Sequence, residues 1–142
     1  MMNSLSVTII SRNEAQNIEA CLKSVGWASE VVLVDQFSDD GTTEIAEKFG
    51  ARVFQENWKG YAGQKNSAVE KATGNWILSL DADERVSNDL RLEIESAVNS
   101  SSPLAGYYIP RKNFFCGQWI RYGGWYPDYN LRLFRKGAGH FQ

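Results

Sequence analysis

The stretch that most constrains this chain is Trp76 to Glu84, WILSLDADE. Trp76, Ile77, Leu78 and Leu80, interrupted only by Ser79, read as a short buried strand. The strand stops at Asp81-Ala82-Asp83-Glu84. Three carboxylates in four residues cannot share a buried strand end without a counter-charge, because repulsion and desolvation both oppose it. The usual remedy is a divalent cation with hard oxygen ligands. Asp81 and Asp83 lie two apart, so continued strand geometry puts both on one face, where they can approach one ion. Acids at the carboxyl end of a strand also sit where open α/β sheets bind ligands. The alternative is a solvated turn that happens to be acidic.

The rest of the chain supplies a sheet for that strand. Leu5 to Ile10 is apolar and β-branched enough for a buried strand, broken by Ser11-Arg12-Asn13-Glu14. Asn13 with Gln16 three later predicts a helix start. Ile18, Cys21, Leu22 and Val25 then follow the i, i+3, i+4, i+7 spacing of one helix face. Val31 to Val34 is a second strand closed by Asp35, followed by a loop rich in turn and cap residues, Gln36 to Thr42. A short helix to Phe49, a weak strand Arg52 to Gln55, and a helix from Gln64 to Ala72 come next, the last with Ala68, Val69 and Ala72 inward. Ser87 or Asn88 caps a further helix carrying Leu90, Ile94, Ala97 and Val98. Gly106 to Arg111 and Asn130 to Phe134 read as late strands around an irregular, aromatic-packed segment. Strands alternating with helices of 8 to 12 residues predict a parallel α/β sheet. In such a sheet Asn13-Glu14, Asp35 and Asp81-Ala82-Asp83 share one edge and converge on one crevice.

At 142 residues, 43% hydrophobic and 23% charged, the chain suits one globular domain. Two cysteines, Cys21 and Cys116, make neither a disulfide framework nor a metal cluster, and fit a reducing cytoplasm. No apolar run approaches the ~18 residues of a membrane span, and the N-terminus lacks a signal-peptide pattern. Charge is uneven. Residues 107–142 hold six basic residues against the single acid Asp128, which leaves nine against sixteen in residues 1–106. Ten of the 18 aromatics also lie between Tyr107 and Phe134. A basic, aromatic end on an acidic body suits an anionic partner, or else a core rimmed by solvated bases. The acidic body argues against nucleic acid.

The blocks SVTIISRNEAQNIEACLKSV, VVLVDQFSDDGT, GQKNSAVEKATGNWILSLDADE and GGWYPDYNLRLFRKG resemble, in order and over nearly the whole chain, the inverting glycosyltransferases of family 2. Within that family the SRNEAQNI opening, DADE and PDYNLRLFRKG look most like bacterial lipopolysaccharide-core glucosyltransferases. The resemblance implies an α/β GT-A fold, a mostly parallel sheet flanked by helices in three layers. It divides the chain into a nucleotide-sugar-binding half, residues 1–106, and an acceptor-side segment, residues 107–142. It implies that Asp35, Asn13 and Glu14 line a nucleoside pocket, joined by Asp40, while Gln36 stands where many members have a second Asp. Lys65 matches a basic position near the phosphates. Asp81 and Asp83 match the DxD motif, with Asp83 the direct ligand to Mg²⁺ or Mn²⁺ and Asp81 nearer the ribose. The implied partners are a UDP-sugar donor and a glycan or lipid-linked acceptor. The implied place is the cytoplasm, at the inner face of the membrane, and exposed edge strands favour pairing into oligomers.

Departure of a nucleoside diphosphate builds negative charge that a cation between two carboxylates stabilises. Inversion needs one further carboxylate as general base. The resemblance places that base after the RLFR block, so the chain is expected to be a shortened family domain. Asp128 is then the sole internal candidate. Glu84 could hold the acceptor or cap a local turn. Arg132 and Arg135 could grip an anionic acceptor or belong to a solvated strand face, and His140 reads as structural. Three readings compete. A haloacid-dehalogenase-type phosphatase wants its DxD on the first strand. A nucleotidyltransferase wants a glycine-rich basic loop after that strand. A truncated domain that binds the nucleotide sugar without turnover is the strongest rival.

Overall fold

The computed structural model describes residues 3–101, 105–110, 115–116, 129–138 and 140–141. Its strands are β1 (Leu5–Ser11), β2 (Glu30–Asp35), β3 (Arg52–Gln55), β4 (Trp76–Asp81), β5 (Glu84–Arg85), β6 (Gly106–Pro110), β7 (Phe115–Cys116) and β8 (Tyr129–Arg135). Its helices are α1 (Ala15–Lys23), α2 (Thr42–Lys48), α3 (Gly60–Lys71) and α4 (Asn88–Val98). Six strands form one sheet in the order β3-β2-β1-β4-β8-β6, and β5 pairs with β7 apart from it.

The apolar strands of the sequence become the centre of this sheet because they are covered on both faces. Leu5, Val7, Ile9, Leu33, Leu78 and Leu80 meet Ile18, Cys21 and Leu22 of α1, Ala46 of α2 and Leu90, Ile94 and Val98 of α4 on one side. Val32, Val34 and Ile77 meet Ala68 and Ala72, on and just after α3, on the other. The result is helix, sheet, helix. Among the described residues no helix is long and apolar enough to cross a membrane.

β1 to β4 are parallel, as alternation of strands and helices predicts, but β8 runs antiparallel to β4, and β6 antiparallel to β8. A parallel neighbour needs a long crossover, commonly helical, and the sequence shows no helical period between the two late strands. The two-stranded pairing of Glu84↔Cys116 and Arg85↔Phe115 was not legible in the sequence. The inner face of α3 also differs from expectation. Ala68 and Ala72 are buried as expected, but Gln64 and Ser67 join them while Val69 is only partly buried.

Strand register fixes the height of each strand end. Ser11 pairs with Asp35, Asp35 with Gln55, and Ile10 with Asp81. The carboxyl ends of four parallel strands are therefore level. The order of connection reverses between β1 and β4, which opens a crevice there. Close approach at the opposite end demands glycine before β4: a Cβ on Gly74 would lie 2.6 Å from Ser6 Oγ and 2.8 Å from its amide nitrogen.

Candidate active-site cleft

Above the level strand ends lies an open cleft of about 840 Å³. Ser11, Arg12 and Glu14 line it from the end of β1, and Gln36 from the end of β2. Asp81, Ala82 and Asp83 line it from the end of β4. The approach to α3 and its first turns contribute Trp58, Tyr61, Gln64 and Lys65. Glu14, Lys65, Asp81 and Asp83, four of the residues singled out from sequence, are thus brought to one space.

Asp35, Asn13 and Asp40 stand behind that wall. Asp35 is fully buried and accepts three hydrogen bonds: from Ser11 Oγ at 2.7 Å, Ser38 Oγ at 2.6 Å and the Ser38 amide at 2.7 Å. Burial of an acid is tolerable when its oxygens are satisfied in this way. The Ser38 hydroxyl in turn accepts from the Asn13 amide at 2.7 Å, and Asn13 Oδ1 accepts from the Asp39 amide at 3.0 Å. Asn13 adopts a left-handed φ of 52° to do this, and Phe37 one of 47°, so the two loops facing each other are both held in uncommon backbone geometry.

Asn13 does not cap α1, contrary to the spacing with Gln16. The cap residue is Glu14, whose side chain accepts from Asn17 Nδ2 at 3.1 Å and makes no capping bond to the helix amides. The exposed amides at this helix start are met instead from the second loop. Glu14 N–H donates to Thr42 Oγ1 at 3.0 Å and Ala15 N–H to Asp40 Oδ2 at 3.1 Å. The Thr42 hydroxyl and amide, with the Ala15 amide, hold the Asp40 carboxyl below the usual carboxylate range despite the opposing effect of desolvation. Asp40 is a helix-capping residue in this geometry, and its carboxylate suits a helix N-terminus.

The acidic turn is braced from below. Glu84 Oε1 accepts from the Asp81 amide at 2.8 Å and forms an ion pair with Arg132. Arg132 Nε donates to the Ser79 carbonyl at 2.9 Å. Glu84 is 0% exposed and Arg132 3%. Burial pushes the Glu84 carboxyl up from its ordinary range, and Arg132 opposes that push. Neither residue is among those that line the cleft; Glu84 and Arg132 pair with each other and brace the β4 turn. Arg135 lies with its guanidinium carbon 4.7 Å from the Trp76 ring centroid. Three residues apart on one strand, Arg132 and Arg135 face opposite ways, which prevents a shared grip on one anion.

Asp81 and Asp83, two carboxylates that line the cleft, offer hard-oxygen donors to a cation. Among the described residues no group of three or more His, Cys, Asp and Glu side chains forms a metal cage. The donor set fits a Mg²⁺- or Mn²⁺-type site completed by ligand oxygens and water, which is how such ions are commonly held. The expected general base Asp128 lies outside the described residues. Behind the turn, Cys21 is fully buried with Sγ 3.7 Å from the Asp81 carbonyl; burial, with Glu84, Asp83, Asp81 and Glu14 around it, pushes its thiol pKa up.

Trp58, Tyr61 and Gln64 were not singled out from sequence. The available signal was two large aromatics in a short polar, glycine-bearing segment, where a packed core does not require them.

The model of the family described as Glycosyl transferase family 2 matches residues 6–136. The chain belongs to glycosyl transferase family 2. It is 33% identical to the lipopolysaccharide core biosynthesis glycosyltransferase LpsC of Rhizobium meliloti over 96% of its own length and 53% of the relative. An uncharacterized glycosyltransferase of Rickettsia felis is 44% identical over 66% of this chain and 34% of that protein. The chain thus spans about half, or less, of the curated relatives it matches. Among solved structures, S. aureus TarS 1–349 in complex with UDP is similar with a TM-score of 0.58 and 29% identity, over 66% of this chain and 31% of that 1–349 chain. The mannosyltransferase PcManGT of Pyrobaculum calidifontis, in complex with GDP-Man and Mn²⁺, aligns with a TM-score of 0.63 and 24% identity, over 75% of this chain and 34% of PcManGT. The fold is of the GT-A type, a mixed sheet flanked by helices. Members of the family transfer sugars, and this chain carries the family's α/β domain.

Proposed function

We propose that the cleft binds a nucleotide-diphosphate sugar, a UDP-hexose such as UDP-glucose. Asp83 and Asp81 would hold a divalent cation there, and the protein to which the domain belongs would transfer the sugar with inversion. The observation that carries this reading is the level register of β1 and β4, which brings Asp81 and Asp83 to the same cleft as Glu14, where Lys65 of α3 joins them. Carboxylates with a cation, and a lysine in the same cleft, suit a diphosphate, whose charge is divalent and spread over several oxygens. A cation bound there would offset charge on the departing diphosphate. Lys65 would supply a second positive group, and the buried Asp35–Ser11–Ser38 bonds would keep the nucleoside wall rigid. UDP in the similar TarS structure supports the choice of nucleotide.

The acceptor is proposed to be a saccharide or lipid-linked saccharide of bacterial lipopolysaccharide core, on the likeness to LpsC. Cytoplasmic placement with peripheral contact to the membrane surface follows from that acceptor. Asp128 is retained as the proposed general base of the late segment. Because the chain spans 53% of LpsC, donor binding without turnover is the second reading.

Calorimetric titration of UDP and UDP-glucose, with and without Mn²⁺, tests the donor site on the wild type and on Asp83→Ala. Metal-dependent binding that disappears in the variant supports the proposal; absence of binding under every condition refutes it. Release of UDP in the presence of a supplied acceptor separates transfer from binding alone.

A further inference from the structure

Five large hydrophobic side chains stand exposed among the described residues: Phe37, Phe49, Trp58, Tyr61 and Leu92. Trp58 and Tyr61 differ from the others in lining the cleft. They are 44% and 73% exposed, and their ring centroids are 4.8 Å apart at an interplanar angle of 90°. An edge-to-face pair fixes the direction of each ring while leaving a face open. Exposed aromatic faces in a binding cleft are unfavourable in water and invite a flat or apolar ligand surface.

Their place in the fold selects which part of the ligand they meet. The chain leaves the sheet at Gln55 of β3, and the Glu56 amide is still bonded to the Asp35 carbonyl at 2.9 Å, so the segment bearing Trp58 starts beside the β2–β3 ends. Asp81 and Asp83 follow β4. In the order β3-β2-β1-β4 these are opposite ends of the row, three strand spacings or about 14 Å apart. A nucleotide sugar has its diphosphate and hexose at one end and its heterocyclic base at the other. With the diphosphate at the carboxylates, the hexose stays near them and the base is carried toward the aromatics. Gln36 lines the same cleft with an amide that both donates and accepts, as a base edge requires.

We infer that Trp58, supported edge-on by Tyr61, is the stacking platform for the nucleobase of the donor. This rests on the nucleotide-sugar reading of the cleft and adds to it the residues that hold the base. Stacking recognises a π-face, so the platform accepts more than one base, and selection among bases falls to the polar wall.

The test compares UDP with inorganic pyrophosphate, both with Mn²⁺, by calorimetry on the wild type, Trp58→Ala, Trp58→Phe and Tyr61→Ala. Trp58→Ala is expected to weaken UDP about tenfold or more while leaving pyrophosphate unchanged. Trp58→Phe should retain most of the UDP affinity, and Tyr61→Ala should give a smaller loss than Trp58→Ala. Wild-type UDP affinity in Trp58→Ala overturns the inference and leaves the donor reading intact. An equal loss of pyrophosphate also overturns it, because the base would then not be what Trp58 touches. A wild type that binds neither probe refutes the donor reading, and this inference with it.

Discussion

Glu84 and Arg132, 48 residues apart in sequence, meet as an ion pair withdrawn from solvent beneath the acidic turn. The pair joins β8 to the loop that carries Asp81 and Asp83, since Glu84 also accepts the Asp81 amide and Arg132 donates to the Ser79 carbonyl. A buried pair of this kind is poor evidence for net stability, because desolvation offsets much of the attraction. Breaking it from one side is another matter.

Glu84→Gln and Arg132→Met should each destabilise the fold by about 3–5 kcal/mol, since either removes one half of a buried ion pair. Combined with Glu84→Gln, Arg132→Met should cost clearly less than the two single changes summed. Urea unfolding of the wild type and the three variants measures this; additive losses would show that the two groups act separately.

Asp40 and Asp83 should part company. Asp40→Ala removes acceptors from the Ala15 and Thr42 amides and should cost about 0.5–2 kcal/mol of stability, with UDP affinity little changed. Asp83→Ala should leave stability within about 0.5 kcal/mol, as a change at a half-exposed turn, and abolish metal-dependent binding. A melting curve and a titration on each variant decide the matter.

Acid should unfold this protein partly through Glu30 and Glu56. Burial alone would raise the Glu30 carboxyl, but the Ser6 hydroxyl, Thr73 and Arg52 together bring it to about 2. Lys59, Lys71 and Ser67 bring Glu56 to about 2 as well. Both native values lie below the unfolded one, so this stability is present above about pH 4.5 and is lost as pH falls toward 2. The destabilisation caused by Glu30→Gln, measured by urea titration at several pH values, should therefore shrink through that window. A difference that stays constant from pH 7 to pH 3 would contradict it.

Cys21 should be unreactive while the domain is folded. Its thiol is buried and its pKa raised, so little thiolate forms and reagents cannot reach it. Peptide mapping after iodoacetamide treatment should find Cys21 unmodified in native protein and modified in denaturant.

The sequence by itself determined the central parallel strands and the residues that end them. Leu5 to Ile10, Val31 to Val34 and Trp76 to Leu80 are short runs that are mostly apolar or β-branched, which suits strands covered on both faces, and a polar residue follows each run. Helix faces such as Ile18, Cys21, Leu22 and Leu90, Ile94, Val98 were equally local, because a period of 3.6 is written in neighbouring residues. Tertiary structure decided the rest. Asp40 rather than Asn13 serves the start of α1, because strand register brings the second loop against the first. Glu84 and Arg132 became a buried brace because β8 inserts antiparallel beside β4, a choice of neighbour that no local period encodes. Trp58 and Tyr61 joined the same cleft as Asp81 only when β3 and β4 took opposite ends of the row of parallel strands. Contacts between residues tens of positions apart depend on strand order and register, and those are settled by the packing of the whole chain.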